Sequence, residues 1–504
     1  MGVLYRFEVK GIQDFILSTN KLKEIKGGSR LVKLLAVLFE DTLLGTLGEQ
    51  SYQVLTNAAG GATVRVDEVG QARQLMEMWP LLVHHFAPTL QVIQAMVPWD
   101  EEAAMPYETL QAQLQCARNQ LWASLPESPP IAYRSPSTGL VAERLISAHG
   151  ESTRVDSGTD HRLQLGTDSR TDELGDSIDP SITWAVNLEK DMPHGRIAVI
   201  HIDGNDLGQR LQALANQSQG VAFSEKLSIF SETLSRVTQR AASEAFAKVR
   251  DLALEKEIWE GGHTAFPARF IVIGGDDVTL LIDARLGHRY VEQYLKSFEQ
   301  LCQDEAKALG GPLFACAGLV EVKSSWPFSQ ACQLAESLCS FSKSNLRGRI
   351  DGQTPSAFAW HRVTTSMVGD FEREVLVREL AGADGISLSA GPYTLRPVEG
   401  LMSFSQLREL ADGMNSPHLP SGSLRQCLSY LKSDLRLAED RWKRLAEISE
   451  SSAKKARQEA WGMIKGAMSA MKIGHESLTT EEHIRGRVTP LADAFNLNKA
   501  EGKR

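Results

Sequence analysis

The chain has 504 residues, 42% apolar and 23% charged, which points to two to four soluble globular units rather than a single core. A formal net charge of −9 excludes a protein that coats nucleic acid non-specifically, so any nucleic-acid contact has to be a local patch. There is no run of about 18 apolar residues to span a membrane, and the six cysteines form no CxxC pair for zinc or redox work.

The opening MGVLYRFEVKGIQDF lacks the apolar stretch of a signal peptide, so the chain is expected to be cytoplasmic with no membrane partner. Within it VLYRFEV (3–9) predicts a strand. A helix-rich stretch through LVKLLAVLFEDTLL follows, then strand YQVLT, turn NAAGGAT and strand TVRV. A helix through ARQLMEMWPLLVHHF and strand LQVIQAMV (90–97) complete the region. His84 and His85 sit on that helix with no His-Asp doublet near them, and are expected to be structural. Residues 101–190 lose periodicity. PESPP and GESTRVDSGTDHRLQLGTDSRTDELGDSIDPS predict loops or a linker.

RIAVIHI (196–202) then predicts a buried strand, followed by a helix with Phe223, Leu227, Phe230, Leu234, Val237 and Ala241 at three-to-four spacing. Strand ARFIVI (268–273), the turn GGDD and strand VTLLI (278–282) come next. A helix over roughly 285–308, strand LFACAGLVEV (313–322) and a helix after Pro327 end the region. Residues 356–420 are mixed, with ISLSAGPYTL a strand or a loop. Residues 421–504 are helical by composition, and over 423–475 Lys and Arg outnumber Asp and Glu. That face touches RNA or a partner, or is the solvated side of a small bundle.

The two ordered regions repeat one pattern, β-α-β-turn-β-α-β, the layout of a ferredoxin-like palm. The expected fold class is therefore α+β, with two palm domains and a C-terminal helical domain. The expected boundaries are 1–100 for a degenerate palm, 101–190 for a linker or insert and 191–355 for an active palm. A connecting region at 356–420 and helices at 421–504 complete the chain. Setting EVKGIQDFI (8–16) on HIDGNDLGQ (201–209) puts Lys10 on Asp203 and Gly11 on Gly204. Setting GGATV (60–64) on GGDDV (274–278) puts Ala62 and Thr63 on Asp276 and Asp277. One copy holds three carboxylates and the other none.

In FIVIGGDDVTLLID, two adjacent acids sit in a tight turn between apolar strands. Gly274 and Gly275 permit unusual backbone angles and close approach of phosphate. Asp276 and Asp277 repel one another there unless a cation neutralises them, and Asp203 is expected on the neighbouring strand. Three hard oxygen donors suit Mg²⁺ or Mn²⁺. Two such ions about 4 Å apart support in-line phosphoryl transfer. The plainer alternative is a polar hairpin turn. Gly204 is expected beside the nucleotide; Asp206 serves it or caps the helix starting near Leu207. Lys343 meets a triphosphate or is solvated at a helix end. KEIKGGSR (23–30), with Gly28 and Ser29, is a candidate phosphate-cradling loop.

GIQDFI…LKEIKGGSRLV, IDGNDLG and IGGDDV, in that order, resemble the large polymerase-like subunit of type III CRISPR effector complexes. The resemblance implies facing palms and a second palm that joins ATP into cyclic oligoadenylates, messengers in antiviral defence. Carried over, Asp203, Asp276 and Asp277 hold the metals, Gly274 and Gly275 pass close to phosphate, and Gly27, Gly28 and Ser29 help hold a second ATP. Guide RNA, target RNA and other type III subunits become expected partners. Two departures stand out. The chain starts directly on the first palm, so an HD nuclease domain and single-stranded DNA cutting are not expected. IAYRSPSTGLVAERL has no cysteines, so no zinc is expected. The rival readings are a diguanylate cyclase-like or other stand-alone nucleotidyl cyclase, against which Val278 follows the acid pair, and a non-catalytic RNA-binding scaffold.

Overall fold

The first strand, β1 (Gly2–Lys10), alternates its side chains between two covered faces, with Val3, Tyr5 and Phe7 on one side and Leu4 on the other, all buried. The structure is a computed structural model that describes residues 2–48, 51–58, 60–99, 106–120, 129–148, 151–167, 174, 182–192, 194–217, 220–260, 264–365, 369–474 and 477–502. After β1 come α1 (Ile12–Ile16), α2 (Leu22–Leu47), β2 (Tyr52–Ala58), β3 (Gly61–Val66), α3 (Val69–Phe86), β4 (Gln91–Trp99) and α4 (Pro106–Arg118). The sheet order is β2-β3-β1-β4, all antiparallel. Helices α2 and α3 cover one face through Phe39 and Trp79, which contact Phe7. Helix α4 covers the other face, with Leu110 and Leu114 against Leu4 and Ile93.

The second palm repeats this plan. It comprises β7 (Arg196–Gly204), α7 (Leu207–Gln217), α8 (Gly220–Glu255), β8 (Ala268–Gly274), β9 (Asp277–Asp283), α9 (Ala284–Asp304), β10 (Ala315–Lys323) and α10 (Phe328–Leu346). Its inner strands run β8-β9-β7-β10, the same order as in the first palm. Ala198, Ile200 and Ile202 pack toward α8 and α9. Ile197 and Val199 point the opposite way, into a core shared with α10 and the first palm. A Cβ on Gly318 of β10 would lie 1.8 Å from the carbonyl oxygen of Ala335, so only glycine lets α10 lie this close to the sheet.

Between the palms the expected linker contains structure. Hairpin β5 (Arg144–Ala148) and β6 (Glu151–Val155) leads into α5 (Ser157–Gly166) and then α6 (Leu188–Asp191). Asp156 caps α5 by accepting from the Thr159 amide at 2.9 Å. Most of PESPP, and the rest of the Ser/Asp-rich run at 168–173 and 175–181, lies outside the described residues. Low periodicity hid α5 because its hold is a helix-on-helix contact through two glycines. A Cβ on Gly27 of α2 would sit 1.7 Å from the Arg162 carbonyl oxygen, and one on Gly166 would sit 1.8 Å from that of Lys23.

Past residue 355 the second sheet continues with β11 (Ala357–Arg362), parallel to β10, and β12 (Tyr393–Thr394), giving six strands. Helices α11 (Phe404–Met414), α12 (Ser421–Ser433), α13 (Leu435–Glu450) and α14 (Lys455–Ser469) follow. A small hairpin, β13 (Thr480–His483) with β14 (Gly486–Val488), and α15 (Leu491–Ala500) end the described chain. Their apolar side chains join the core of α8 and α9, with Phe404 against Phe358 and Trp442 against Trp461. Among the described residues no helix is long and apolar enough to cross a membrane.

Candidate metal and nucleotide site

The site is assembled at one end of β7. Strand β9 pairs with it, His201 facing Thr279 and Ile202 facing Val278, so one step further puts Asp203 opposite Asp277. Directly paired residues share a sheet face, so His201, Thr279, Asp203 and Asp277 occupy the face that also carries Val199. Asp276 arrives from the hairpin turn. Gly274 pairs with Asp277, leaving Gly275 and Asp276 as a two-residue loop, and Gly275 takes the left-handed φ of 61° that such a tight turn needs at its first position. Space for Asp276 comes from Gly204: a Cβ there would lie 2.9 Å from Leu207 Cδ1 and 3.0 Å from the Cβ of Asp276.

The third wall is α10. Lys343, near its C-terminal end, donates from Nζ to the Asp203 carboxylate and, at 2.6 Å, to the carbonyl oxygen of Gly204. It is thus neither a free triphosphate hook nor a solvated lysine. Burial works against an ionised Asp203, but Lys343 prevails and holds its carboxyl below the usual range. For the other two acids burial dominates and the Asp203 charge adds to it. Asp276 is pushed up to about 8 and Asp277 to about 7. Asp276 also shares a hydrogen bond with Asp203. Glu336, one helical stretch before Lys343, is raised to about 7 by burial and by Asp14 of the first palm.

Three carboxylates with one lysine between them leave negative charge to be neutralised, and two of them take up protons for want of it. That donor set fits a hard divalent cation. Among the described residues, one trio of metal-type side chains brings its ligand atoms within 4.8 Å of one another, His201, Asp203 and Asp277. His201 is buried, its Nδ1 lies 3.2 Å from Thr279 Oγ1, and burial lowers its pKa to about 4. The sequence reading passed over His201, although its position two residues before Asp203 on a strand was a usable signal.

Beside the acids lies a cleft of about 380 Å³ reached by Asp203, Gly204, Asp206, Asp276, Lys343 and Arg347. Asp206 does not cap α7. Its carboxylate accepts from the Thr354 amide at 2.8 Å and the Thr354 hydroxyl at 3.2 Å, clasping the β7–α7 loop to the segment before β11. Gly28 and Ser29 need a correction. Residues 23–30 form the first turns of α2, not a loop; Ser29 is 3% exposed and Gly28 packs near Ile16 and Arg162. Of the two glycines, Gly27 allows the approach of α5, and a phosphate has no exposed amide nest there. His84 is held by its own fold, with Nε2 3.1 Å from the Leu90 carbonyl oxygen.

The repeat also has to be realigned. In the first palm Ala58 pairs with Gly61, and Gly61 faces Glu8. Matching the Ala58–Gly61 pair to Gly274 and Asp277 places Gly61 on Asp277 and Glu8 on Asp203, each two residues from the sequence alignment. Glu8 is paired by Arg6 at 2.7 Å and by Arg118 at the end of α4. Arg118 thus stands to Glu8 as Lys343 stands to Asp203. The first palm keeps an acid and its cation, while glycines occupy the places of the GGDD acids.

Residues 196–350 match the family model for Cas10/Cmr2, second palm domain. None of the curated proteins matches the chain. Among solved structures the chain is similar to Csm1 in T. onnurineus, with TM-score 0.56 and 13% identity over 99% of this chain and 69% of that one. It is similar to a Csm1-Csm4 cassette in complex with cA4, with TM-score 0.52 and 14% identity over 93% of this chain and 70% of that one. It is similar also to a Csm1-Csm4 subcomplex in the type III-A CRISPR-Csm interference complex, with TM-score 0.51 and 13% identity over 93% of this chain and 70% of that one. At such identities the likeness is one of fold.

Proposed function

We propose, from the match of residues 196–350 to the Cas10/Cmr2 second palm domain, that this palm joins ATP into cyclic oligoadenylate. The observation that carries the reading is the meeting of Asp203, Asp276 and Asp277 beside an open cleft, with Lys343 paired to Asp203. The three carboxylates hold Mg²⁺ or Mn²⁺, which when bound polarises the attacking ribose hydroxyl and offsets charge on the departing pyrophosphate.

The chain's own groups do the rest. The cleft fixes a ribose hydroxyl in line with the α-phosphorus of a second ATP; a new P–O bond forms as the bond to pyrophosphate breaks and the hydroxyl proton passes to water. Gly275 has no neighbouring atom within 4 Å of where a Cβ would lie, so a phosphate can approach its backbone. Arg347 on the cleft wall offers positive charge to the triphosphate, as does Lys343 once a cation shares Asp203. ATP as substrate and a Csm4-like subunit as partner are supported by the resemblance and by structures of similar fold bearing cA4 and Csm4, and guide and target RNA as partners by the resemblance alone.

The test is incubation of purified protein with ATP or GTP and Mn²⁺, with products identified by mass spectrometry, beside an Asp276→Ala/Asp277→Ala variant. Oligoadenylate from the wild type alone is the expected result. A guanosine product would replace the substrate assignment. Silence both alone and in a reconstituted RNA-guided complex would overturn the activity.

A further inference from the structure

We propose that His201 supplies a nitrogen ligand to the divalent cation of this site, so that the site favours Mn²⁺ over Mg²⁺. The inference rests on the reading of Asp203 and Asp277 as metal ligands and adds a residue and an ion preference to it.

His201 and Asp203 are two apart on β7, and Thr279 and Asp277 are two apart on β9; His201 faces Thr279, and the register carried one step past Ile202 and Val278 sets Asp203 opposite Asp277. Four side chains therefore form the corners of a square on one sheet face. Three of them offer ligand atoms within 4.8 Å of one another, a spread that a modest side-chain adjustment closes around an ion with ligands at about 2.1–2.2 Å. The fourth, Thr279, lies 3.2 Å from His201 Nδ1. In the tautomer whose Nδ1–H donates to Thr279 Oγ1, that bond orients the ring and Nε2 carries the lone pair for a metal, the kind of outer support a ligating histidine has. A histidine that merely filled the sheet face would need Thr279 but not the nearby carboxylates.

The chemical consequence follows from ligand type. Mg²⁺ takes oxygen donors in near-ideal octahedral geometry, whereas imidazole suits first-row transition ions. Replacing one oxygen with a nitrogen shifts preference toward Mn²⁺.

The experiment uses the full chain without nucleotide, loaded with Mn²⁺ and read by pulsed electron paramagnetic resonance. Wild-type protein is expected to show nitrogen modulation from one imidazole, moving to the ¹⁵N frequency when histidine alone is ¹⁵N-labelled, a readout that needs no variant. His201→Gln is expected to lose the modulation and about tenfold or more in Mn²⁺ affinity, with Mg²⁺ affinity changed less. Bound Mn²⁺ that depends on Asp276 and Asp277 yet shows no imidazole nitrogen would overturn the role of His201 and leave the carboxylate site standing. Absence of bound Mn²⁺ in the wild type would overturn both.

Discussion

Lys343 Nζ donates to the Asp203 carboxylate and, at 2.6 Å, to the carbonyl oxygen of Gly204. One ammonium thus ties the end of α10 to the end of β7, and in the metal-free protein it is the counter-charge that keeps Asp203 ionised. Lys343→Ala should lower metal-free stability by about 1–2 kcal/mol, allowing for partial solvent access. Lys343→Arg should restore part of that loss. Urea unfolding at neutral pH measures both, and an unchanged midpoint for Lys343→Ala would show that the pair contributes nothing.

The raised acids give a pH signature. Asp276 and Asp277 have folded pKa values of about 8 and about 7, above their unfolded values. Folding therefore binds protons between those limits, so their contribution is greatest at low pH and is lost as pH rises through about 7 to about 8. Metal-free Asp276→Asn/Asp277→Asn should gain melting temperature relative to wild type between about pH 5 and about pH 9, with the gap widening upward. Added Mn²⁺ should narrow it by stabilising the wild type alone. A constant gap across the scan would sink the assignment.

Gly204 makes room for Asp276. Gly204→Ala, with its Cβ 3.0 Å from the Cβ of Asp276 and 2.9 Å from Leu207 Cδ1, should displace the turn at a cost of about 1–3 kcal/mol. Nucleotide transfer should fall much further than stability. Parallel activity and melting measurements separate the two effects.

Gly318→Ala tests the seating of α10. The added methyl would sit 1.8 Å from a backbone oxygen that no side-chain movement can relieve. A loss of about 3 kcal/mol or more is expected, along with loss of the Lys343 contact, seen as a rise in the Asp203 pKa in carboxylate NMR.

The Glu8–Arg118 pair predicts the opposite pattern. Glu8→Gln should weaken the first palm, detectable as an earlier urea transition, while nucleotide transfer per folded molecule stays unchanged. Loss of transfer without loss of stability would give Glu8 a part in the chemistry.

The sequence by itself determined the two palms and the order of strands and helices along each, and singled out the three acids, because those rest on local signals: period-two strands, glycine-rich turns and helical spacing in segments such as 227–241. It also carried the resemblance that the match at residues 196–350 supports. Tertiary structure alone decided what depends on distant partners. The pairing of Glu8 with Gly61 moved the repeat by two residues, since hydrogen-bond register is set across the sheet and not along the chain. Gly27 and Gly28 read as a loop because adjacent glycines usually break helices; the Arg162 carbonyl of α5 made Gly27 the residue that a close helix contact requires. The partnership of Lys343 with Asp203 spans 140 positions. It exists because Gly318 lets α10 settle onto β10, a packing event with no trace in local periodicity.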